Sequence, residues 1–138
     1  MADLVISPAD VVPASTSKMQ TGLAGAAINA GQAVYVDAQD GGKIKLADKT
    51  AAATAGSVGI AISTADVAGQ PVSYLPANGG DLAVGAVAAA GETYVLSTAG
   101  AVSPESDLVA TDFVTYLGYG KDSNTISLMV KATGIQHA

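Results

Sequence analysis

From residue 21 onward, apolar residues come in short runs of alternating or continuous hydrophobicity, and glycine and aspartate separate one run from the next. Gln32-Ala33-Val34-Tyr35-Val36 leads into Asp37-Ala38-Gln39-Asp40-Gly41-Gly42 and then Lys43-Ile44-Lys45-Leu46. This is a strand, a turn and a strand, with Asp-Gly-Gly supplying the positive φ that a tight hairpin needs. Further runs at 57–62, 71–75, 81–84, 93–97, 112–119 and 125–130 predict strands of the same kind. Strands at this spacing, punctuated by 16 glycines, predict an all-β barrel or sandwich. The alanine-rich stretch 47–55 favours helix by propensity, but Thr50, Thr54 and its shortness make it a loop or a single turn. Stretch 86–90 is too short to stand alone as a helix.

Two words recur at matching separations. Ala30-Gly31-Gln32-Ala33-Val34-Tyr35-Val36 is echoed sixty positions later by Ala90-Gly91-Glu92-Thr93-Tyr94-Val95-Leu96, and Val58-Gly59-Ile60-Ala61 fifty-nine positions later by Leu117-Gly118-Tyr119-Gly120. A weaker copy of the first is Ala68-Gly69-Gln70-Pro71-Val72. A duplicated β unit accounts for the pattern; chance recurrence in an Ala/Gly/Val-rich chain is the alternative. On either account Gly31, Gly41, Gly42, Gly69 and Gly91 are turn glycines rather than phosphate-binding ones.

The first twenty residues read differently, and the chain divides into a segment 1–20 and a single β domain 21–138. Pro8 and Pro13 bias their neighbours to extended conformations and cannot donate to a central ladder. The segment is either a frayed terminus or an extended arm. As an arm it would add the apolar patches Leu4, Val5, Ile6 and Val11, Val12 to a partner's sheet edge or groove.

Composition narrows the function more than it narrows the fold. The 28 alanines bury little area each, so a core this thin favours self-association. Six lysines, no arginine and a net charge of -6 argue against nucleic acid, which needs clustered cationic donors. No apolar run reaches the ~18 residues of a spanning helix, and the N-terminus lacks the basic, then apolar, pattern of a signal peptide. With no cysteine, thiolate metal sites and cysteine nucleophiles are excluded. The single histidine, His137, lies in a terminal tail and makes a poor general base. Asp37 and Asp40 flank a turn without the alternating acids of a Ca²⁺ loop. Glu92 and Glu105 are the acids that could form a glycosidase pair, yet nothing in the sequence brings them to one cleft. Gly118-Tyr119-Gly120-Lys121 lacks the grammar of a phosphate loop. No catalytic residue, metal site or cofactor is expected. Tyr35, Tyr74, Tyr94, Tyr116 and Tyr119 all fall in predicted strands, where the ring packs and the hydroxyl reaches outward.

The order of these words over almost the whole chain resembles small structural proteins of tailed bacteriophages, specifically the head decoration, or capsid cement, proteins. The words are Gly25-Ala26-Ala27-Ile28-Asn29-Ala30-Gly31-Gln32, Gly42-Lys43-Ile44-Lys45-Leu46-Ala47-Asp48, Val58-Gly59-Ile60-Ala61, Gly91-Glu92-Thr93-Tyr94-Val95-Leu96-Ser97 and Phe113-Val114-Thr115-Tyr116-Leu117-Gly118. They follow the leader Ile6-Ser7-Pro8-Ala9-Asp10-Val11-Val12-Pro13. The resemblance implies a non-enzymatic protein that is made in the host cytoplasm and joins the outside of the virion capsid. There it would bind the major capsid protein, commonly as a homotrimer, and stabilise the shell by bridging its subunits. A tail or fibre module is the nearest alternative. A small hydrolase or carbohydrate-binding module is a more distant one.

Overall fold

The computed structural model describes residues 4, 6, 10–13, 19–51, 54–56, 59–76, 80–85, 88–108, 110 and 112–136. Among these residues eleven strands run β1 (Val12–Pro13), β2 (Gln20–Leu23), β3 (Ala33–Asp37), β4 (Lys43–Leu46), β5 (Gly59–Ala61), β6 (Pro71–Pro76), β7 (Asp81–Ala83), β8 (Thr93–Leu96), β9 (Val102–Pro104), β10 (Phe113–Gly120) and β11 (Thr125–Gln136). They form two antiparallel sheets, ordered β2-β6-β5-β3-β4 and β1-β7-β11-β10-β8-β9. Each sheet keeps its own edge strands, so the arrangement is sandwich-like, and no barrel closes among the described strands. The helical segments among the described residues are short 3-10 turns. In the alanine-rich stretch, Asp48 takes over the backbone instead, accepting from the Thr50 amide at 2.9 Å and the Thr50 hydroxyl at 2.8 Å. This local bonding competes with helix.

Apart from β1, the two sheets share one strand order. β2 to β6 and β7 to β11 are each laid out as first-fifth-fourth-second-third. The registers match row by row. Ala33 pairs with Ile60 and Ile60 with Leu75 in the first sheet; Thr93 pairs with Tyr119 and Tyr119 with Ser127 in the second. The adjacent rows are Leu46-Val34-Gly59-Pro76 and Pro104-Tyr94-Gly118-Leu128. The recurrent words of the sequence thus occupy equivalent places.

Because paired residues share a face, the rows also say how the halves stack. Ala33, Ile60 and Leu75 of the first sheet pack against Tyr94, Leu96, Leu117, Ile126 and Leu128 of the second in one core. The opposite face of the first sheet carries a second core of Val34, Ile44, Ala61, Val72 and Tyr74, closed by Ala24, Ile28 and Ala65. Its cover is tied down by backbone bonds: Gly25 donates to Ile44 at 2.7 Å, and Ile28 and Ala65 exchange bonds of 2.8 Å. The loop 47–55 joins the halves. Lys49 forms an ion pair of 2.9 Å with Asp112, both side chains largely buried, and its carbonyl accepts from the Phe113 amide at 2.9 Å.

Strands β2 and β9 and the pairing of Val12–Pro13 with β7 go beyond the runs read from the sequence, and β11 continues six residues past the expected 130. Each is short, polar or proline-containing, so its strand character comes from the neighbour it bonds.

Candidate functional site

The residues with chemical potential are either neutralised or left without supporting partners. Lys45 reaches Asp37 at 2.8 Å and Asp40 at 3.0 Å, and its hydrogen bonds hold both carboxyls below the ordinary aspartate range. That turn is closed by a lysine rather than open to a cation. Among the described residues no group of three or more acids or histidines converges on a metal position. His137 lies outside the described residues. In the Gly118–Lys121 stretch, backbone approaches leave no cradle. A Cβ at Gly118 would stand 2.2 Å from the Ser127 carbonyl oxygen, and one at Gly120 1.8 Å from that of Ala89. Lys121 is bound to Asp81 at 2.7 Å; this bond raises the lysine's affinity for its proton and lowers that of the aspartate.

The two glutamates correct the sequence-based expectation. Glu92 precedes β8 and Glu105 follows β9, an adjacent strand, so both line one open cavity of about 600 Å³ with Thr93, Ser106, Val114 and Tyr116. Sequence separation concealed this because the β8–β9 hairpin folds the two positions side by side. No described residue donates a hydrogen bond to either side-chain carboxylate, whereas acid–base work needs groups held in one geometry by a supporting shell.

Of the leader residues, Leu4 and Ile6 pack against the shared core and Val11 is buried in it. The Leu4 amide donates to Val102 at 2.7 Å. Val12 pairs with Ala83 and stays 56% exposed; Val5 lies outside the described residues. Gly31, Gly41, Gly42, Gly69 and Gly91 all have φ between +66° and +96°. Of the tyrosines, Tyr94 is buried with its hydroxyl accepting from the Ala89 amide at 2.8 Å, while Tyr119 is 43% exposed.

Tyr119 belongs to the feature that the sequence reading missed. The outward face of β8, β10 and β11 carries a shallow, mostly apolar groove of about 270 Å³ formed by Thr93, Tyr116, Tyr119, Met129 and Lys131. It meets the glutamate cavity at Thr93 and Tyr116, which line both. The signal was present: Ser127, Met129 and Lys131 alternate with the apolar Ile126, Leu128 and Val130, placing the first three on one face. This face has the character of a binding surface rather than a reaction centre.

No protein-family model matches the chain, and no curated protein matches it. Among solved structures, the fold is similar to that of a chain from Mycobacterium phage Patience. The similarity has a TM-score of 0.64 at 12% sequence identity, over 89% of this chain and 97% of that one.

Proposed function

We propose that the protein is a non-enzymatic structural component of a bacteriophage particle that coats the outside of the capsid and bridges neighbouring capsid subunits. The observation that carries this reading is the fold similarity to a phage chain over 89% of this chain. The exposed apolar sheet face and the lack of an ordered reactive centre among the described residues support it. The proposed partner is the major capsid protein, the proposed state a homotrimer, and the proposed location the capsid exterior after synthesis in the host. Each contact would be weak, and its repetition over a lattice would supply the holding strength. A segment of the leader reaches the shell through its exposed part. Because Leu4, Ile6 and Val11 also complete the chain's own core, Val12 is the residue through which attachment is best probed.

Quantitative mass spectrometry of purified particles, scaled to the major capsid protein, tests the role. Near-stoichiometric copy number is expected. A handful of copies would assign the protein to a tail or fibre instead, and absence from particles would end the virion reading. Val12→Asp should weaken attachment to purified capsids while leaving the melting temperature unchanged; undiminished attachment would remove the leader from the interface.

A further inference from the structure

We infer that the uncovered face of β8, β10 and β11 is a two-fold contact between two copies of this chain. The repeated architecture points to the part of this face around Tyr119 and Met129 as the part without a cover among the described residues, whereas Val95, further along the same face, is buried. Its counterpart in the first sheet is the row Ala33, Ile60 and Leu75, which the second sheet buries almost completely. The matching row in the second sheet is Thr93, Tyr119 and Ser127, and among the described strands no third sheet stacks on it. Stacked repeats leave such a terminal face, which stays soluble when capped by polar residues. Here the capping is incomplete: Thr93 and Ser127 are polar, but Tyr119 and the neighbouring Met129 are 43% and 56% exposed.

Charge identifies the occupant. Lys131 pairs in register with Tyr116, and Tyr116 with Val95, so Lys131 stands two strands, about 10 Å, from β8. Glu92 adjoins β8, and Glu105 follows the next strand beyond it. The face therefore has one cationic side and one anionic side, with Tyr116 between them. Every other described lysine already binds an aspartate: Lys43 with Asp40, Lys45 with Asp37 and Asp40, Lys49 with Asp112, and Lys121 with Asp81. Among the described residues, Lys131 has no carboxylate partner and Glu92 and Glu105 have no cation.

A copy rotated by 180° about an axis near Tyr116 brings each Lys131 to the other copy's Glu92 and Glu105, and lays Tyr119 and Met129 of both copies into the apolar centre. A partner carrying charge of one sign would satisfy one side of the face and oppose the other. The contact is isologous and closes at two copies. It is separate from the three-fold association proposed above, and on a shell it would join copies belonging to neighbouring trimers.

The test is sedimentation equilibrium of the wild-type chain, Lys131→Glu, the Glu92→Lys/Glu105→Lys double variant and an equimolar mixture of the two variants. The wild type should double its copy number with rising concentration, from one to two or, where the three-fold association forms first, from three to six. Each variant alone should associate about tenfold or more weakly, because like charges then face each other twice. The mixture should recover wild-type association, since the swapped charges pair on both sides. These residues lie at the surface, and circular dichroism with thermal melts checks that each variant is folded. A wild type that stays at one copy would overturn the inference, as would one that assembles only in threes, variants that associate as tightly as the wild type, or a mixture no better than its components. Capsid copy number is read in a separate experiment, so this contact and the virion role can fail independently.

Discussion

The two halves of the molecule have the same strand order and the same register, yet they bury their surfaces differently. In the first half, nine residues (62–70) connect β5 to β6, and in the second half four residues (121–124) connect β10 to β11. The longer connection supplies Ala65, which exchanges hydrogen bonds with Ile28 over the outer face of the first sheet. That face thereby becomes a second core. The second half turns tightly at Lys121 to Asn124 and relies on the first sheet for its inner cover, leaving Tyr119 and Met129 on its other face exposed. Loop length thus decides which sheet is self-sufficient and which presents a surface.

The equivalence of the halves is tested most severely at Gly59 and Gly118. A Cβ at Gly59 would stand 2.0 Å from the Leu75 carbonyl oxygen, and one at Gly118 2.2 Å from that of Ser127. Backbone would have to move in both cases, and Gly118 also has a φ of 158°. Gly59→Ala and Gly118→Ala should each cost about 3 kcal/mol or more by urea unfolding. If one variant lost less than about 1 kcal/mol, well below typical overpacking costs, the matched rows would not be equivalent in energy.

The link between halves comes next. Lys49→Met takes the ammonium away from the largely buried Asp112 carboxylate and should cost about 3 kcal/mol. Adding Asp112→Leu should return much of that loss. If the double variant proves no more stable than the single, the ion pair is not what Lys49 contributes.

A smaller effect separates the two buried tyrosines. Tyr94→Phe removes the acceptor of the Ala89 main-chain amide and should cost about 1 kcal/mol. Tyr74 instead donates at 3.0 Å to the exposed Gln20, which water can replace, so Tyr74→Phe should cost under about 1 kcal/mol. Equal losses in denaturant titrations would erase this distinction between the cores.

The smallest expected difference is in acid. Lysine holds the carboxyls of Asp37, Asp40 and Asp81 below their ordinary value. Asp48 is raised by burial but lowered further by hydrogen bonds from Thr50 and Ala99. Folded values depressed in this way contribute stability that is complete above about pH 4 and lost as pH falls through them. Three of the four groups sit in the first half. Replacing Asp37 and Asp40 with asparagine should therefore flatten the acid limb of the stability curve more than replacing Asp81. Equal flattening would show that the halves share the acid response.

Much of the strand content was legible locally. Period-two runs such as Thr93-Tyr94-Val95-Leu96 and the glycine turns before them specify strand and turn from a few adjacent residues, and the recurrent words marked the repeated unit. The short strands β2 and β9 were not legible, because Gln20-Thr21-Gly22-Leu23 and Val102-Ser103-Pro104 become strands only through bonds to β6 and β8. The meeting of Glu92 and Glu105 was equally hidden, since it depends on a hairpin bringing together residues that no local pattern relates.

The sequence by itself determined an all-β chain, its turns, the absence of thiol chemistry and the alternation that puts Met129 and Lys131 on one face. Alternation assigns residues to a face, but it cannot say what lies against that face. Only the tertiary structure decided that Ile60 and Leu75 would be buried while their counterparts Tyr119 and Ser127 would be left at the surface. Burial of a sheet face depends on what stacks upon it, and among the described residues the first sheet is covered on both sides while the outer face of the second is left exposed around Tyr119 and Met129.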